Sequence, residues 1–154
     1  MTTPRDDDAL LKEEYFRLQQ MVEEFDGKSL TIKAWSVTLS AAGIVAAYVE
    51  KAPIVLLIAS GSALVFWMVE ALWKTNQQAF YPRIRLIENH FSGSDNPVLP
   101  LQIAHSWSAA WRQRGRARFA FTVMWWWHVA LPHIAVAVVA ALLFFVAPPA
   151  VPSA

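Results

Sequence analysis

Two apolar stretches, Ala52 to Trp73 and Phe119 to Ala147, contain no Lys or Arg, and each is long enough to cross a bilayer as one helix. A hydrocarbon core of roughly 30 Å needs about 20 helical residues, and backbone at that depth must satisfy its own hydrogen bonds. Both stretches therefore predict transmembrane helices. A third span, Leu30 to Val49, carries Lys33, Ser36, Thr38 and Ser40, yet only the four residues Glu50 to Pro53 separate it from Ile54. So short a turn predicts an antiparallel helical hairpin. With 56% hydrophobic and 16% charged residues, the composition also belongs to membrane proteins rather than soluble domains.

Lys and Arg counts near the spans set the expected orientation. The segment between the second and third spans holds Lys74, Arg83, Arg85, Arg112, Arg114, Arg116 and Arg118, whereas the hairpin turn holds only Lys51 and the carboxyl tail none. That segment belongs in the cytoplasm. The amino-terminal region, with Arg5, Lys12, Arg17, Lys28 and Lys33, joins it there, and the tail lies outside. The acidic, polar first 29 residues argue against a signal peptide. The expectation is an all-α, multi-pass protein of the cell inner (plasma) membrane with three transmembrane helices, the first two a long hairpin extending into the cytoplasm. Its segments are 1–29, a cytoplasmic amphipathic helix; 30–73, the hairpin; 74–118, a cytoplasmic helix, loop and interfacial basic helix; 119–147, the third span; and 148–154, an external tail. A net charge of +1 gives no reason to expect nucleic acid binding, and the lack of cysteine excludes disulfides and thiolate metal ligands.

Helical periodicity continues beyond the spans. Leu11, Tyr15, Leu18, Val22 and Phe25 recur at four and three residues, a heptad seam that either packs on its own chain or joins subunits. The second span is followed by Trp73, Gln77, Phe80, Ile84, Ile87 and Phe91 at the same intervals, and Pro82 should kink or restart that helix. Glu13, Glu14, Arg17, Glu23 and Glu24 on one arm face Lys74, Arg83 and Arg85 on the other, giving pairs worth less than about 1 kcal/mol each if exposed. Ser92 to Pro100 reads as a turn-rich loop. Beyond it, Trp107 and Trp111 with Arg112, Arg114, Arg116 and Arg118 suit an interfacial helix, indoles at headgroup depth and guanidiniums on anionic lipid phosphates.

Ionisable and hydroxyl groups inside the spans are the candidate functional residues. Folding the hairpin about Ala52 sets Lys33 within about one turn of Glu70 and predicts a cross-helix ion pair. Ser36, Ser40, Gly43 and Ala47 form a stripe of small and hydroxylated residues. Such a stripe permits close helix packing, and in an oligomer it can line an aqueous path with Lys33 or Glu70 at the mouth. In the third span, His128 is a proton-path candidate if the helix enters at Phe119, about 15 Å above it. If Trp125, Trp126 and Trp127 instead form an interfacial belt, the span runs from Trp125 to Val146 and His128 is only a turn inside. His128 and His133 lie about 140° apart around a helix, too far to form a metal site alone. No nucleotide, metalloprotease or hydrolase motif is present, so no enzyme and no cofactor is expected.

The segments YFRLQQMVEEFDGKSLTIKAWSVTLS and WMVEALWKTNQQAFYPRIRLIE give a layout of cytoplasmic helix, short-turn hairpin and returning cytoplasmic helix. Over about half the chain this layout resembles the SLATT-type two-transmembrane effectors of bacterial defence systems. The resemblance implies a pore-forming role triggered by a partner; this chain has a third span and no sensor domain. The expected function is a small homo-oligomeric ion channel or pore. The alternative is a nonconducting scaffold whose cytoplasmic hairpin binds a protein partner.

Overall fold

The computed structural model describes residues 4–94 and 97–150, leaving aside the side chains of residues 4, 5 and 114. Among the described residues six helices follow one another: α1 (Pro4–Val49), α2 (Ile54–Gln78), α3 (Tyr81–Phe91), α4 (Ile103–Arg114), α5 (Arg116–Met124) and α6 (Trp127–Val146). No strand occurs among the described residues. The all-α fold with a long hairpin of α1 and α2 is thus present, and three helices are long and apolar enough to cross a membrane.

Helix α1 is unbroken through Gly27, because a single glycine costs only about 1 kcal/mol against alanine and both flanks are anchored by packing. At the hairpin turn Lys51 adopts a positive φ of 52°, and the Ala52 amide donates to the carbonyl of Ala47 at 2.9 Å. Pro82 restarts the chain as a new helix: α2 ends at Gln78, and Pro82 occupies the first turn of α3, where a missing amide hydrogen removes nothing. Gly115, at φ 68°, separates α4 from α5.

The third apolar helix begins at Trp127 rather than Phe119, close to the shorter of the two expected spans and not to the 119–147 segment. The break has a visible cause. The Trp67 indole donates to the carbonyl of Met124 at 2.8 Å, satisfying an acceptor at the end of α5, and Trp126 is extended at ψ 130°.

The chain divides into two compact units. Unit 1 comprises Met1–Gly27 and Trp73–Phe119, and unit 2 comprises Lys28–Leu72 and Ala120–Ala154. In unit 1 the heptad seam is spent within the chain: Leu11, Leu18 and Val22 pack on Phe80, Ile84 and Ile87. Gln77 reaches the Val22 carbonyl at 2.9 Å, and the Trp73 indole donates to the Phe25 carbonyl at 3.1 Å. Lys74 pairs with Asp26.

The Glu14–Arg83 pair is buried, not exposed as the sequence reading assumed. Arg83 donates to both carboxylate oxygens at 2.8 and 2.9 Å and also to the Leu99 carbonyl at 2.7 Å. The Leu101 amide donates to Glu14 at 2.8 Å and so holds that residue at a positive φ of 61°. A fork of this kind fixes the loop after α3 onto α1.

Candidate functional site

Unit 2 contains a cluster of polar side chains at one level of its three long helices. α1 supplies Ser29, Lys33 and Ser36 at intervals of four and three, hence on one face; α2 supplies Glu70; α6 supplies His133. Glu70 accepts from all three neighbours. Ser29 donates to Oε1 at 2.7 Å, Lys33 donates to the same oxygen, and His133 Nε2 lies 2.8 Å from Oε2. Lys33 also reaches the Ser29 hydroxyl at 3.2 Å. On its other side, His133 Nδ1 lies 2.7 Å from Ser36 Oγ. Glu70, His133 and Ser36 are completely buried, while the Lys33 side chain is 20% exposed.

Chemically, the arrangement is a carboxylate between an ammonium and an imidazole, with hydroxyls completing its coordination. Isolated, each charge would be very costly at membrane depth; together they neutralise one another and tie three helices at a single level. Ser36 is the remaining variable, since its hydroxyl can donate to Nδ1 or accept from it.

The rest of the small-residue stripe turns inward as well. Ser40 is fully buried and donates to the Ala59 carbonyl at 3.2 Å, and a side chain added at Gly43 would come within 3.1 Å of the Ala59 methyl. Ala47, Leu56, Ala59, Ala63, Ala137 and Ala140 continue this packing away from the cluster. Ser60 donates to the Ala137 carbonyl at 3.0 Å, bringing α6 close to α2. The outward residues on the three helices include Trp35, Val45, Ile58, Val65, Leu131 and Leu142, which suit lipid.

The fold thus gathers Lys33, Ser36 and Glu70 into one site and places Ser40 and Gly43 in the packing beyond it. His128 lies elsewhere, half-buried in the first turn of α6 against the rings of Trp126 and Trp127. His133 and Ser29 were not singled out as site residues by sequence reasoning. The signal that could have found His133 was its place in the span: with α6 starting at Trp127 it lies about 9 Å in, at the same end of the spans as Lys33 and Glu70.

The residues expected at lipid headgroups divide into two groups. Trp107 packs on the core of unit 1, Trp111 lies edge-on to it at 5.6 Å, and the Arg116 guanidinium stacks over Trp111 at 5.0 Å. Arg112, Arg116 and Arg118 are exposed; the Arg114 side chain lies outside the described residues. Among the described residues no group of acidic, His or Cys side chains is arranged to hold a metal ion. Comparison with family models, curated proteins and solved structures yields no match.

Proposed function

We propose that this protein is a nonconducting, membrane-anchored scaffold: unit 2 holds it in the bilayer, and unit 1 presents a folded helical surface to a protein partner. The observation that carries the reading is that the polar stripe and the ionisable groups of the spans are satisfied inside one chain. Ser36, Ser40, Glu70 and His133 are buried among α1, α2 and α6, so they offer no polar wall to an axis between copies. The heptad seam of α1 is likewise occupied by Phe80, Ile84 and Ile87 of the same chain, which removes one motive for self-assembly. A membrane anchor alone has no need of a second core locked by a buried Glu14–Arg83 fork. Lys and Arg asymmetry favours unit 1 on the cytoplasmic side of the inner membrane, with Arg112, Arg116 and Arg118 available to anionic headgroups.

A homo-oligomeric ion channel is the second reading. It is favoured by the charged cluster at membrane depth, with Lys33 partly exposed beside a sealed Glu70, and by the layout shared with SLATT-type effectors. Electrical recording separates the two. Folded, purified protein in planar bilayers containing anionic lipid should be silent under the scaffold reading. Discrete conductance that changes in Lys33→Gln or Glu70→Gln would establish the channel instead. Partner binding is tested by a photocrosslinking residue at exposed Phe16 in native membranes, which should give one defined protein adduct, while lipid-facing Phe145 should give none.

A further inference from the structure

We propose that the groove between α1 and the start of α4 docks a Lys- and Arg-rich segment of a partner protein, with an apolar side chain of that segment seated beside Leu101. The inference rests on the scaffold reading of unit 1 and names the chemistry of its partner.

The groove, of about 370 Å³, is lined by Leu10, Glu13, Glu14 and Arg17 on one side and by Leu101 and Ile103 on the other. Its rim is held in place by the buried fork. Arg83 donates to the Leu99 carbonyl at 2.7 Å, and the Leu101 amide donates to Glu14 at 2.8 Å. These bonds hold Leu101 in the left-handed region, unfavourable for leucine, while the Leu99 and Leu101 side chains stand 68% and 74% exposed. An apolar pair fixed in this way loses little freedom when a partner covers it.

Charge selects the occupant. Asp6, Leu10, Glu13, Arg17, Gln20 and Glu24 recur at four and three residues, so one face of α1 forms the groove wall and its continuation. All but Leu10 are exposed. Three carboxylates share that face with one guanidinium, and Arg17 already donates to Gln20 at 3.0 Å. Glu13, at the groove itself, has no hydrogen bond or ion pair among the described residues. The opposite wall adds no cation to offset it: from Leu86 to Trp111 the chain carries Glu88 and Asp95 but neither Lys nor Arg. Such a surface repels anionic headgroups and attracts a cationic segment. The arginines of a second copy stand at another level. Arg116 reaches Asn76, and the next residue, Gln77, bonds the Val22 carbonyl, roughly 13 Å along α1 from the groove. A neighbour standing the same way up in the bilayer therefore holds its arginines away from the groove.

The test places a photocrosslinking residue at Leu99 of the full-length protein in native membranes and maps the attached peptide. That peptide, synthesised, is then titrated against purified protein in nanodiscs. The expected adduct is the protein captured at Phe16, joined through a peptide of net positive charge. Glu13→Lys should weaken peptide binding by about tenfold or more, as should replacing the peptide's Lys and Arg by Gln, and Arg17→Gln should tighten it. Leu101→Gly should also weaken binding yet leave unit 1 folded, because glycine takes a positive φ without strain. An adduct at Leu99 with lipid or a second copy, a captured peptide without net positive charge, or equal binding to Glu13→Lys and wild type overturns the inference. A protein adduct at Phe16 with none at Leu99 overturns it and leaves the scaffold reading standing. No protein adduct at either position overturns both.

Discussion

Arg83 owes its importance to where its partner lies. Exposed pairs of this type contribute little, but Glu14 and Arg83 are both buried, and three further groups depend on them: the Leu99 carbonyl, the Leu101 amide and the positive φ of Leu101. Replacing Arg83 by Ala leaves a buried carboxylate unpaired, at a cost of about 3–5 kcal/mol. Hydrogen exchange should then accelerate at the amides of Leu11 to Val22 and leave α6 unaffected. Tyr81 offers a gentler probe of the same unit. Burial, with a smaller contribution from Asp26, raises its phenol above the ordinary value near 10. The unfolded chain therefore loses this proton at a lower pH than the folded one. Its contribution to stability is intact below about pH 10 and declines as pH rises beyond that. Unfolding of the full chain followed between pH 9 and 11.5 should show this decline, and Tyr81→Phe should reduce it.

Among the helices, register is set by the Lys33–Glu70–His133 cluster together with the close approach of Gly43 to Ala59. Glu70→Leu removes the acceptor for Ser29, Lys33 and His133 at once and should cost about 3–5 kcal/mol in mixed-micelle unfolding. A triple replacement, Lys33→Met with Glu70→Leu and His133→Leu, should recover most of that loss, because it leaves no buried charge without a partner. Equal destabilisation by the single and triple variants would mean that shape, not charge, fixes the register. Much of this level was legible in the sequence: apolar length located α2, the short turn located the hairpin, and counting outward from Ala52 brought Lys33 to Glu70. Pro82 also marked the restart at α3. Two things were hidden for physical reasons. The start of α6 depends on a distant indole, Trp67, satisfying the Met124 carbonyl, and no local pattern encodes that contact. His133 joins the site only once that start is known, and the sequence pattern pointed to His128 instead.

For the whole molecule, the decisive question is whether the polar stripe meets water. Heptad spacing and a stripe of serines are the same in a self-contained bundle and in an oligomer. Sequence left both open, whereas the burial of Ser36 and Ser40 within one chain favours the first. These 154 residues include no cysteine, so single cysteines placed among them can be read without background. The most direct measurement is modification of Ser40→Cys in membranes by a small cationic thiosulfonate, compared with Lys51→Cys in the exposed hairpin turn. A self-contained bundle predicts that Lys51→Cys is fully labelled from the outer face while Ser40→Cys remains unmodified from either face. Labelling of Ser40→Cys at a rate comparable to Lys51→Cys would contradict it and place an aqueous path along the stripe.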